Sequence, residues 1–361
     1  MCTRLILLVP ALLATMFLGS AKAANLTVGM QRGKVDLKSA GPATFAPQGI
    51  LLVGDTQGAT IYAIATDDRP AGSPPQPLAI EKIDQKIAAL LGTSPDEILI
   101  NDMAVNPETG STFFTVSRGR GPDGKPVILR VDSTGKLGEF SLADVLYSKA
   151  AIPDAPTDDK QKQNVTTDMQ FAGGQVLVAG LSNEEFSSQL RVIPFPFGTV
   201  DKGTSVEIYH GSHGKYETKA PIRTFAVFEV AGEPNILAAY TCTPLVKFPL
   251  AELKPGAKIK GKTVAELGNR NRPLDMVVYN KGGKDWLLMA NNARGLMKVE
   301  IAGVAEVDAI TEHIKDTAGL PYQTIEEYKK VDQLDRLDKD HALLLVQSDA
   351  GGLNLTTIEL P

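Results

Sequence analysis

Short runs in which apolar and polar residues alternate, interrupted by Gly, Asn and Asp, fill most of this chain, and residues 273–301 show the repeating unit whole. There the alternation predicts three strands, 274–279, 286–290 and 296–301. A Lys-Gly-Gly turn and an Asn-Asn-Ala-Arg-Gly turn separate them. Period-two alternation bounded by such turn residues is the signature of half-buried antiparallel strands.

Eroded copies of the unit recur. Residues 54–64, 291–301 and 348–358 each carry Asp or Asn, two residues, Gly, and then an alternating strand. In a tight hairpin the Gly is expected to supply positive φ while the polar side chain caps the turn. Upstream, a second signal repeats as Asn101-Asp102-Met103, Thr167-Asp168-Met169, Arg223-Thr224-Phe225 and Leu274-Asp275-Met276. Asp332 stands 16 residues before Ser348, as Asp275 stands 16 before Asn291, which aligns Asp332 with Asp275. A self-similar period of some 40–50 residues predicts a propeller or solenoid. The units fall at 43–80, 101–141, 166–213, 222–268, 273–314 and 331–360. They predict an all-β, six-bladed β-propeller, with seven blades as the alternative. The last unit stops after its third strand, and residues 26–37 are expected to supply the fourth, closing the ring.

Three interruptions read as helical insertions. Residues 80–91 place Ile80, Ile83, Ile87 and Leu91 on one face, and capping boxes begin at Ser141 and Thr324. The stretch 153–163, rich in Asp, Pro, Lys and Gln, reads as a solvated loop.

Composition narrows the setting. Arg4, an apolar run over 5–18 and an Ala-x-Ala site ending at Ala23 form a secretory signal, with an apolar core too short for a membrane span. Residues 24–361 then form a single secreted, periplasmic domain. Loss of Arg4 and Lys22 leaves 35 basic residues against 42 acidic ones, a net charge of −7. That balance argues against nucleic-acid binding. Cys2 leaves with the signal, so Cys242 has no partner for an intramolecular disulfide. Sequons at Asn25, Asn164 and Asn354 add little, since Asn354 falls within an expected strand.

Ala40-Gly41-Pro42 leading into residues 49–55, together with Asn101-Asp102 and Leu274-Asp275, resembles the six-bladed superfamily of NHL-repeat, TolB-like and gluconolactonase or regucalcin-like proteins. The resemblance implies a divalent-metal site at Asn101, Asp102 and Asp275. The lactonase group carries a Glu before Gly-Pro, and this chain has Ala40 there, so a calcium or zinc site would lack its most strongly charged ligand.

Other chemistry is scattered over turns. His210 and His213 are three residues apart and, with Cys242, could bind copper or zinc; the alternative is a buried Cys and loop histidines. Cys242, one of those histidines and Asp275 could also make a nucleophile, base and orienter, although no Gly-x-Ser-x-Gly elbow occurs. Arg118, Arg120, Arg223, Arg270, Arg272 and Arg294 all lie in expected turns, several of which are expected to face one mouth together with Asn269, Asn291 and Asn292. Bidentate Arg contacts suit carboxylate or phosphate. The rival role for these arginines is pairing with Asp102, Asp168 or Asp275 of the next blade. The sequence alone favours binding of a small anion or of another secreted protein at a mouth lined by Asp102, Arg118, Arg223, Arg272, Asp275, Asn291, Asn292 and Arg294. A metal-dependent hydrolase or a copper or zinc propeller enzyme is the alternative.

Overall fold

The computed structural model describes residues 25–69, 75–121, 123–242 and 244–361; the expected signal, residues 1–23, lies outside them. Six sheets, antiparallel apart from one parallel pairing at the outer side of blade 3, stand in a ring, each turning one inner strand to a common axis. The inner strands, in chain order for blades 1 to 6, are Ala43–Ala46, Ile98–Val105, Asp168–Ala172, Ile222–Val230, Pro273–Lys281 and Val331–Arg336. The molecule is a six-bladed β-propeller. Among the described residues no helix is long and apolar enough to cross a membrane.

Ring order is not chain order. Blade 1 abuts blades 2 and 3, and blade 2 sits between blades 1 and 6. The apolar clusters record the same order, because a blade buries its faces against its ring neighbours. Phe45, Leu51 and Ile64 of blade 1 pack with Phe113 and Ile128 of blade 2, and its other face, through Ile50, Leu52 and Ile61, packs with Val176 and Val178 of blade 3. Phe114 and Leu129 of blade 2 meet Leu343 and Leu345 of blade 6. Among the described residues Cys242 is unpaired to any other cysteine, and these inter-blade layers provide the bulk of the stabilisation.

Closure differs from expectation. The fourth strand of blade 6 is Ala79–Ile80, which pairs with Leu353–Glu359. The N-terminal strand Gln31–Gly33 instead pairs with Val145–Ala151, which itself pairs with Thr60–Ala65. The chain thus leaves blade 1 after three strands, covers the edge of blade 6, builds blade 2, and returns to cover the edge of blade 1. Two unpaired edges are removed by segments far apart in sequence.

The helix expected at 80–91 forms as Ile83–Leu90, burying Ile83, Ile87 and Ala88. The other two capping boxes start no helix. Ser141 Oγ does accept the Ala143 N–H, but the chain then enters the strand Val145–Ala151. Thr324 lies in the strand Tyr322–Ile325, paired with Met297. In both places an open sheet edge outweighs a local helix signal. The stretch read as a solvated loop contains one helical turn, Asp159–Lys162, capped by Asp158, and is anchored by buried Asp154.

Positive φ falls on Gly295, Gly351 and Gly352 as expected, but in the first copy on Ala59 rather than Gly58. Gly58 is needed for space, since a Cβ there would collide with the Asp55 carboxylate. A tighter case is Gly180, where a Cβ would run into the Val165 carbonyl. Gly180→Ala is expected to cost about 1–3 kcal/mol through overpacking, read as a lower urea midpoint. An unchanged midpoint would mean that the Val165 backbone yields freely.

Candidate functional site

The inner strands of blades 2, 4, 5 and 6 each carry a bulge near their first residues, between Ile100 and Asp102, Ile222 and Thr224, Pro273 and Asp275, and Val331 and Gln333. A bulge re-aims the side chains beside it, here toward the axis. In blade 6 the position equivalent to Asp275 is therefore Gln333. Asp332, which the sequence register aligned with Asp275, instead accepts a hydrogen bond from Gln347.

Four aspartates form latches between successive blades. Asp102 accepts the Ala43 N–H of blade 1 at 2.7 Å, Asp168 the Phe225 N–H of blade 4 at 2.7 Å, Asp275 the Leu334 N–H of blade 6 at 3.1 Å, and Asp335 the Val105 N–H of blade 2 at 2.8 Å. The other oxygen of each accepts the N–H of the following residue in its own chain. All four are half-buried at the axis, and partial removal from water pushes Asp102 up to about 8, Asp168 to about 7 and Asp335 to about 6. Asp275 is raised well above the carboxylate range by the same burial, reinforced by the charges of Asp102, Asp168 and Asp335.

Above these carboxyls lies a cavity of about 620 Å³ to which all six blades contribute. Asn101, Asp102, Asp168, Asp275 and Gln333 line it, Arg223 reaches it from the bulge at the start of the inner strand of blade 4, and Arg272 from the loop before the inner strand of blade 5. Arg223 donates to Thr241 Oγ1 at 2.9 Å and to Asn164 Oδ1 at 3.0 Å. Its pKa is lowered by desolvation and then by the Arg272 charge. Among the described residues, neither arginine forms a salt bridge within 4.0 Å, so the latches are carboxylate to backbone amide and not Arg to Asp.

Of the residues expected at the mouth, Asp102, Asp275, Arg223 and Arg272 line the cavity, as does Asn101. The others do not. Asn292 Oδ1 accepts the Arg272 N–H and so braces that arginine. Buried Asn291 donates to Asn271, which in turn donates to the Cys242 carbonyl. Arg294 donates to Tyr322 and to the Asn269 carbonyl, and Arg118 donates to the Gly92 carbonyl. Sequence reasoning passed over Asn164, which was read only as part of a sequon. It placed Asp168 in the right motif without assigning it to the site.

The metal set implied by resemblance does not fit a hard cation. Ala40 is 2% exposed and offers no ligand. Among the described residues, the only group of three His, Cys, Asp or Glu ligand atoms within 4.8 Å of one another is His210, His213 and Glu217. Cys242, expected as the third ligand beside the histidines, is replaced there by Glu217. It sits in a turn with φ 83°, its N–H donating to the Asn271 carbonyl.

Fold and cavity together define a six-bladed propeller with a polar axial site. No protein-family model matches the chain, and no curated protein matches it. Among solved structures it is similar to the PQQ-bound aldose sugar dehydrogenase of Streptomyces coelicolor, with 13% identity, a TM-score of 0.40, and 91% of this chain and 98% of that one covered. It is also similar to a putative oxidoreductase (glucose dehydrogenase) of Thermus thermophilus, with 11% identity, a TM-score of 0.36, and 91% and 100% covered. A luciferin-regenerating enzyme follows at 10% identity and a TM-score of 0.30, with 92% and 96% covered.

Proposed function

We propose that the protein binds a small anion, a carboxylate or phosphate bearing further hydroxyl groups, in the axial cavity. The observation that carries this is the pair Arg223 and Arg272, which share one cavity without a carboxylate partner among the described residues. The Arg272 charge depresses Arg223, and a bound anion relieves this repulsion. The carboxyls beneath hold protons near neutral pH and repel it little, and they could accept from or donate to its hydroxyls. A cavity of about 620 Å³ suits a small molecule better than a protein loop. A lactonase-type hydrolase would need a carboxylate where Ala40 stands, so binding is favoured over hydrolysis. Export is part of the proposal, resting on the signal-like residues 1–23, and the ligand would be met outside the cytoplasm.

Calorimetric titration with phosphate, succinate and citrate tests the reading. At least one should bind, and Arg223→Ala and Arg272→Ala should each weaken it by roughly ten- to a hundredfold, the worth of a charge-assisted hydrogen bond. If none binds, or if both variants bind as the parent does, the reading fails.

A further inference from the structure

Away from the axis, the strand Thr204–His210, the single turn Gly211–His213 and the strand Lys215–Glu217 place three ligand-type side chains together at the outer edge of blade 3. His210 Nδ1 lies 3.0 Å from Glu217 Oε2 and His213 Nδ1 lies 2.8 Å from Glu217 Oε1. The two imidazoles are stacked with centroids 3.8 Å apart. Thus both rings turn the same nitrogen toward one carboxylate. Burial opposes ionisation of Glu217, but the hydrogen bonds from His210 and His213 outweigh it and hold its pKa low.

We propose that His210, His213 and Glu217 form a divalent transition-metal site of the zinc type, separate from the axial cavity. Two imidazoles and a carboxylate are a donor set that zinc accepts, with a fourth position left to water. Donor atoms about 2.0–2.1 Å from a tetrahedral zinc lie roughly 3.3 Å apart. The nitrogen-to-oxygen separations of 3.0 and 2.8 Å are a few tenths of an ångström short of that. An ion therefore enters by displacing the shared protons, with a small opening of the cluster.

A second carboxylate holds the backbone of the same turn. Glu266 is buried and accepts the Gly211 N–H at 2.6 Å through Oε1, while its Oε2 has no hydrogen-bond partner among the described residues. A buried carboxylate on the backbone of the same turn adds negative potential that favours a cation, and Lys215 Nζ stands 3.6 Å from Glu217. The same turn docks the segment around His313: the Ile314 N–H donates to the Gly211 carbonyl, and His313 lies against Gly214. Bound metal would stiffen the turn of blade 3 against which this segment docks. This inference does not depend on anion binding at the axis.

The test is titration of the chelator-stripped full chain with Zn²⁺, Mn²⁺ and Ca²⁺, read by calorimetry and thermal melting. Zn²⁺ should bind one to one, Mn²⁺ more weakly and Ca²⁺ not measurably, and Zn²⁺ should raise Tm. The His213 side chain is 44% exposed, so His213→Ala should stay folded and lose more than about tenfold in Zn²⁺ affinity. Glu217→Gln should do the same, while Cys242→Ser and Arg223→Ala should bind Zn²⁺ normally. Absence of Zn²⁺ binding to the parent would overturn the proposal. So would binding that survives both His213→Ala and Glu217→Gln, or that is lost in Cys242→Ser.

Discussion

Resistance to denaturant should fall as pH rises from about 5 to about 9, the reverse of the usual behaviour of carboxylates held by salt bridges. Asp335, Asp168 and Asp102 have folded pKa values of about 6, 7 and 8, against an ordinary value of 3.8, and Asp275 is raised as well. Between the ordinary value and these raised values the folded state holds more protons than the unfolded one. Raising pH through that window therefore favours unfolding, and the loss is complete above the highest folded value. Each group can contribute up to about 1.4 kcal/mol per pH unit. The carboxyls are only half-buried, so solvent screens part of this and a total loss of roughly 2–5 kcal/mol is expected, with Asp102 and Asp275 titrating together.

Urea midpoints measured across this range provide the check. A flat or rising profile would mean that the axial carboxyls are ionised at little cost. At lower pH another set takes over. Glu217, Asp132 and Asp338 have depressed values, so the stability they add is lost as pH falls through their folded pKa values. The optimum should consequently lie between about pH 4 and 6. Anion affinity at the axial cavity should weaken over the alkaline limb too, because the carboxyls below it acquire charge.

Removing Arg191 alone should be among the most damaging single changes. Its guanidinium lies 2.6 Å from Asp154, with side chains 3% and 8% exposed. The pair fixes the loop after blade 1 to the third strand of blade 3, Ser188–Pro194. Arg191→Met would strand a buried carboxylate at a cost of about 3–5 kcal/mol. The double variant Arg191→Met, Asp154→Leu should recover most of that loss, since no uncompensated charge remains. A double-mutant cycle by urea denaturation measures both. A single variant within about 1 kcal/mol of the parent would show that water reaches Asp154 freely.

The spacing of the apolar runs determined six units, their three central strands, and the polar position ahead of each inner strand. Those are local properties: alternation sets which side chains face a neighbouring blade, and Asn, Asp and Gly set the turns. The same locality made Asp102, Asp168, Asp275, Arg223 and Arg272 visible as candidates, because the site is built from loops that repeat with the blades.

What the sequence could not determine is which edges meet. Backbone hydrogen bonding carries no sequence label, so neither the return of Val145–Ala151 to blade 1 nor the closure of blade 6 by Ala79–Ile80 can be read from composition or period. Hairpin lengths also vary without a mark in the period: blade 5 closes its first hairpin at Lys281 and Lys284 and blade 6 at Arg336 and Ala342, which is why Asp332 was aligned where Gln333 stands. Partners across space were equally hidden. His210 and His213 meet Glu217, seven and four residues on, only because the chain turns back at Gly214 in the left-handed conformation. Tertiary structure also decided the charge state of the axial aspartates, since only the assembled ring removes them from water and sets them against one another.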